Sequence, residues 1–146
     1  MKHILIDFDG VVNVPPQQGA DNSWVSAVVH YVHVYARKDV IEFINSVPQG
    51  SLTWLTTWED DTVLFSEIGL NSRPYIPFPT APDRDWKVDA VHQWLTERPD
   101  HEVVWIDDES ELLSQITHPR LSVMNPDPEV GLTSKNIKDL EGWLTT

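Results

Sequence analysis

Ile4-Leu5-Ile6-Asp7-Phe8-Asp9-Gly10 is the stretch on which the reading of this chain turns. A short apolar run with β-branched residues reads as a buried strand over Lys2–Phe8. Gly10 then permits a tight turn. In extended backbone, side chains two apart leave the same face, so Asp7 and Asp9 are expected on one side of the strand end, roughly 6–7 Å apart. Two carboxylates so placed repel, and one is expected to titrate high unless a cation or a donor offsets them. A divalent metal does this simply, and Mg2+ suits a site of oxygen ligands shared among carboxylates, water and a substrate phosphate.

Outward from this stretch, strand and helix signals alternate. Val11–Val14 is expected as a small extended flap, with Pro15-Pro16-Gln17-Gln18-Gly19 as loop. Trp24–Tyr35 is rich in valine and aromatic residues and reads in part as strand. Lys38–Val47 places Val40, Ile41, Ile44 and Val47 at helical spacing, and Pro48-Gln49-Gly50 stops it. Ser51–Thr56 reads as strand, and Trp58–Leu70 as a helix whose early Glu59, Asp60 and Asp61 suit its positive end. Four prolines within Asn71–Pro82 make that segment loop or broken strand. Asp85–Arg98 returns to helical period, Val103–Ile106 is a strong strand, and a helix through Leu112 and Ile116 follows. A short strand at Leu121–Met124 and a helix over Ser134–Leu144 complete the order. Strands alternating with helices imply an α/β fold, a three-layer Rossmann-like parallel sheet with helices on both faces. Ligands then bind beyond the carboxyl ends of the strands. With no repeat and no linker, residues 1–146 are expected to form one domain.

Composition excludes several classes. With no cysteine there is no disulfide framework, thiolate zinc site or cysteine nucleophile. The apolar start is too short for a signal sequence and nothing approaches a membrane span, so a soluble protein of a reducing cytoplasm fits best. A net charge of −13 with ten scattered basic residues argues against extended duplex binding. A nucleotide or a single strand end stays possible, because a bound metal reverses the local sign. The tryptophans at 54, 86, 94, 105 and 143 follow element periodicity and read as core, whereas Trp58 lies close enough to a strand end to border a crevice. His30 and His33, three apart, would pair on a helix and part on a strand.

Three strands end in polar residues: Asp7 and Asp9, then Thr56 and Thr57, then Asp107 and Asp108, with Lys87 opening the helix before the last. In a parallel sheet these ends meet in one crevice. A carboxylate nucleophile, a second acid, a hydroxyl, an ammonium and further carboxylates are the equipment of phosphoryl transfer through aspartate. A cation in a first helical turn, as at Lys87, needs a nearby anion to explain it.

At these residues the chain resembles the haloacid dehalogenase (HAD) superfamily, with all four motifs in order: Asp7-Phe8-Asp9-Gly10-Val11, Thr56, Lys87 and Ile106-Asp107-Asp108. Trp54-Leu55-Thr56-Thr57-Trp58 and the 127–133 stretch look like those of small phosphatase-like members, including relatives attached to RNA-repair proteins. The resemblance implies that Asp7 attacks phosphorus, Asp9 moves the proton, Thr56 donates to a phosphate oxygen and Lys87 stabilises charge. It implies Mg2+ on Asp7, Asp108 and the Asp9 backbone carbonyl, with Asp107 ligating or orienting; Asp107 against Asp108, and Thr56 against Thr57, stay open. Gly10, Thr57, Arg73 and Arg84 are candidate substrate contacts. The spacings between motifs leave no room for a cap domain, so an open site is expected, admitting a protein or nucleic-acid end or completed by a second subunit. The expected function is a Mg2+-dependent phosphomonoester hydrolase acting on nucleotide or nucleic-acid terminal phosphates. The alternatives are a phosphatase of phosphoprotein or sugar phosphate, and a scaffold of the same fold without turnover. A receiver-type signalling domain fits less well, because no strand-end aspartate lies between Asp9 and Thr56.

Overall fold

The computed structural model describes residues 1–16 and 22–146. Its centre is a parallel sheet of four strands, β1 (Lys2–Ile6), β4 (Leu52–Trp54), β5 (Glu102–Ile106) and β6 (Leu121–Met124), in the order β4-β1-β5-β6. Side chains alternate across it. Ile4, Ile6, Val104 and Ile106 enter one core with α1 (Lys38–Ser46) and α4 (Ser134–Leu144). Leu5, Val103 and Trp105 enter a second core with α2 (Trp86–Glu97) and α3 (Ser110–Leu113). The two-residue period of a strand thus feeds two apolar layers, and the central strands are covered on both faces. This is the expected three-layer α/β fold, and the described residues form no large cap.

The register positions the site. Ile6 pairs with Trp54 on one side and with Ile106 on the other, so three strands end level. The residues that follow, Asp7, Leu55-Thr56 and Asp107-Asp108, emerge at the same edge.

Several elements differ from expectation. β1 stops at Ile6, because the Phe8 carbonyl accepts the N–H groups of Val11, Val12 and Asn13 and turns the chain sharply. Val11–Val14 is therefore part of a compact turn rather than an extended flap. The Gln17-Gln18-Gly19 portion of the expected loop lies outside the described residues. The valine-rich segment forms two strands, β2 (Trp24–Val29) and β3 (Val32–Arg37), paired antiparallel in a sheet of their own. The turn between them consists of His30 and Tyr31, both at positive φ. Without Gly, Asn or Pro, that turn is invisible to turn chemistry. The helix expected over Trp58–Leu70 spans Glu59–Ile68 and is a 3-10 helix. Its buried residues, Thr62, Phe65 and Ile68, recur every three positions, the spacing that eclipses side chains in a 3-10 helix. α3 ends at Leu113, and Ile116 is buried beyond it.

Candidate active site

Asp7 leaves β1 into a buried cluster. It is 6% exposed, and its Oδ1 accepts the Phe8 N–H at 2.8 Å. Lys87, the second residue of α2, lies between two carboxylates: Nζ is 3.3 Å from Asp7 Oδ2 and 2.8 Å from Asp107 Oδ2. These anions account for a buried cation in a first helical turn, where the helix dipole opposes it. Burial draws the Lys87 ammonium down, but Asp7 and Asp107 outweigh that and hold it above its ordinary value. Asp107 is fully buried; its second oxygen accepts the Glu109 N–H, and Asn125 donates to its backbone carbonyl.

Asp108 completes the cluster. Asp7, Asp107 and Asp108 each offer an oxygen within 4.8 Å of the others'. Three carboxylates against one ammonium leave an excess of negative charge. Burial, together with the Asp107 and Asp108 charges, pushes the Asp7 carboxyl up to about 8 against the pull of Lys87 and the Phe8 N–H. Asp108 is raised too, by burial and by Asp107. An all-oxygen donor set whose negative charge exceeds what Lys87 offsets fits a hard divalent cation such as Mg2+. Gly10 is part of this fit: a Cβ there would lie 2.4 Å from Asp108 Oδ2, and its φ of +79° is left-handed.

Asp9 stands apart, because the turn after Phe8 breaks the extended geometry that would have paired it with Asp7. Its carboxylate is exposed and held by two donors: Asn13 Nδ2 on Oδ1 and Trp58 Nε1 on Oδ2, each at 2.8 Å. Asn13 is itself fixed, since its Oδ1 accepts the Tyr35 N–H of β3. Trp58 packs edge-on against Phe8 and Phe65. Repulsion from Asp9 is therefore not what raises Asp7; Asp107 and Asp108 are the neighbours responsible. Asn13 was missed from sequence, its one signal being a lone amide in an apolar turn four residues after Asp9.

Thr56 is buried beyond the end of β4, its Oγ1 accepting the Trp58 N–H at 3.4 Å, whereas Thr57 is exposed. Arg73 is not brought to the site. Its guanidinium donates to the carbonyls of Ile44, Val47 and Pro48 and so caps the end of α1, a structural role for a residue expected to meet substrate. Arg84 is exposed and ion-paired with Glu111 in front of α2. The 127–133 stretch supports the turn from behind: Leu132 N–H donates to the Val11 carbonyl, and a Cβ on Gly131 would strike that same oxygen at 2.5 Å. A cleft of about 370 Å3 opens above Asp9, Gly10 and Asp108 toward β3. A larger cavity of about 730 Å3 lies between α2 and the proline-rich segment, and none of the acidic cluster lines it. Size therefore does not single out the acidic cluster.

A level edge of parallel strands followed by Asp7 and Asp107-Asp108, with Lys87 reaching them from α2, is the arrangement that the HAD resemblance implies. The chain matches, over residues 3–137, the family described as the HAD domain in Swiss Army Knife RNA repair proteins, and it belongs to that family. No match is found among curated proteins or among solved structures. No helix among the described residues is long and apolar enough to cross a membrane.

Proposed function

We propose that the protein is a Mg2+-dependent phosphomonoester hydrolase that works through an aspartyl-phosphate and acts on the terminal phosphate of a nucleotide or nucleic acid. The observation that carries this is the cluster of buried Asp7, Lys87 and Asp107 with half-buried Asp108 at the sheet edge, with a separately held carboxylate, Asp9, beside it. Membership of a HAD family from RNA-repair proteins supports the substrate class.

Asp7 attacks phosphorus; the bond from its carboxylate oxygen to phosphorus forms as the bond to the leaving oxygen breaks. Asp9 gives its proton to that leaving oxygen and then takes one from the water that cleaves the acyl phosphate. Trp58 and Asn13 hold Asp9 in one orientation for both transfers. Lys87 offsets charge on Asp7 and the phosphoryl group, and Thr56 offers a hydroxyl at the neighbouring strand end. Asp7, Asp108 and the Asp9 carbonyl would hold Mg2+, which when bound supplies positive charge to the phosphate oxygens. Both oxygens of Asp107 already have partners, Lys87 and the Glu109 N–H, which favours Asp107 as the orienting residue and Asp108 as the ligand.

Purified protein with Mg2+ is expected to release phosphate from simple phosphomonoesters, and Asp7→Asn to abolish that release while unfolding like the wild type. Wild type inert toward all of several phosphomonoesters, or an active Asp7→Asn variant, refutes the proposal.

A further inference from the structure

The cleft above the acidic cluster has an uncommon lining. Asp9 and Asp108 border it on the side of the reacting centre, and His33 and Tyr35 contribute from β3. Pro15, Pro16 and Pro128 complete it with Gly10, Asn13 and Val14, and no lysine or arginine is among the described residues that line it. A group next to the phosphate therefore meets rings and apolar edges rather than countercharge. A second phosphate or a phosphorylated sugar gains little there, while a flat neutral group gains stacking area.

The hairpin is arranged for this. His33 and Tyr35 are two apart on β3 and share a face, while Val34 and Ala36 between and after them are buried on the other. Their ring centroids are 5.9 Å apart with the planes at 66°, an edge-to-face pair, so one ring offers its face and the other its edge to a flat group between them. Toward the tip, the two-residue turn holds His30 at φ 50° and Tyr31 at φ 65°, with the rings 5.8 Å apart. Non-glycine residues strained at both central positions, where Asn-Gly would fit with less strain, keep aromatic side chains at the tip. Tyr31 is 95% exposed, and the flanking Val28 and Val32 are exposed as well.

We propose that His33 and Tyr35 form a stacking shelf for the nucleobase adjoining the scissile phosphate of a single-stranded RNA end, with Tyr31 at the tip meeting the next base. This rests on the reading of the acidic cluster as a phosphate site. It assigns the hairpin, which no cap replaces, the work of selecting substrate. Stacking tolerates any base, so the shelf distinguishes nucleic-acid ends from other phosphomonoesters without reading sequence. Two or three rings suit a short end rather than a long tract, in keeping with a chain of net charge −13.

The test is binding by fluorescence anisotropy in Mg2+, with the Asp7→Asn variant to prevent turnover. The probes are uridine hexamers bearing a 3′- or a 5′-phosphate and a fluorophore at the other end, each with a counterpart abasic at the phosphorylated nucleotide. Losing that base is expected to weaken binding by roughly 5- to 150-fold for at least one of the two ends. His33→Ala and Tyr35→Leu are expected to weaken the intact probe, His33→Phe to restore much of the loss, and base and ring losses to be non-additive. Unchanged binding on base removal, fully additive losses, or absence of binding overturns the shelf. So does the same coupling on a phosphotyrosine peptide with none on RNA. Phosphate release from alkyl phosphates with no dependence on a base leaves the hydrolase standing without the shelf; base-coupled binding without any turnover leaves the shelf without the hydrolase.

Discussion

Replacing Lys87 by Met keeps the aliphatic stem and removes only the charge. The ammonium is buried, 3.3 Å from Asp7 and 2.8 Å from Asp107, and both carboxylates are at least nine-tenths buried. Removing one partner from such a group costs about 3–5 kcal/mol, because the remaining charges stay desolvated without compensation. For a chain of this size, that is a fall in Tm of roughly 6–20 °C. The cluster can relieve the loss by binding protons, since Asp7 already titrates high. The deficit is therefore smallest near pH 6 and grows toward pH 9, as Asp7 ionises. Thermal and urea unfolding in a chelator measure it. Adding Asp107→Asn to Lys87→Met removes one stranded charge and is expected to return part of the stability, a coupling that a double-mutant cycle isolates. A loss below about 1 kcal/mol, or an Asp107→Asn loss that simply adds, would show that Lys87 does not hold the cluster together.

Trp58→Phe keeps the aromatic packing but removes the N–H on Asp9 Oδ2. A hydrogen bond to a charged group is worth about 1.5–3 kcal/mol, so alkyl phosphates, which need leaving-group protonation, should slow by roughly 10- to 150-fold. Aryl phosphates with acidic leaving groups should slow far less, and equal losses on both would deny Asp9 the proton transfer. Gly10→Ala drives a methyl into Asp108 Oδ2 and strains a backbone at φ +79°. Calorimetry should find Mg2+ binding weakened at least tenfold, and unchanged affinity would remove Asp108 from the metal site. His3, packed on Trp94 and joined to Thr53, is pushed down to about 4 by burial, then by His101 and Arg98. The unfolded chain then binds the extra proton first, so stability falls as pH drops from about 6.5 to 4, by at most about 3 kcal/mol and less where water screens the site. Stability measured across that window should lose this component of its slope in His3→Gln, and an unchanged slope would assign the acid sensitivity elsewhere.

The alternation of apolar runs and helical spacings was enough to read the sheet and its layers. Ile4-Leu5-Ile6 and Val103–Ile106 are continuously apolar because both faces of a central parallel strand are buried. Elements that depend on local turn chemistry were harder. The His30-Tyr31 turn carries none of the usual residues, so the hairpin reads as one valine-rich run, and Trp58–Leu70 reads as a helix without its 3-10 type, which the three-residue spacing of Thr62, Phe65 and Ile68 reflects. Arg73 in a proline-rich loop looked available to a phosphate, yet folding places it on the last carbonyls of α1, groups that lie 26 to 29 residues away along the chain.

Residue order alone determined the parallel α/β frame, the residues that end its strands and the family resemblance they carry, since strand-end chemistry and burial period are local properties of the chain. Which carboxylates share charge was a tertiary outcome. Asp7 and Asp9 are neighbours in sequence, but the turn about the Phe8 carbonyl sends Asp9 to Asn13 and Trp58. Register between β1 and β5 instead brings Asp7 to Asp107 and Asp108, a hundred residues on, and to the Lys87 that compensates them. Electrostatic coupling follows distance in space, and that distance is fixed by strand register and turn geometry rather than by position along the chain.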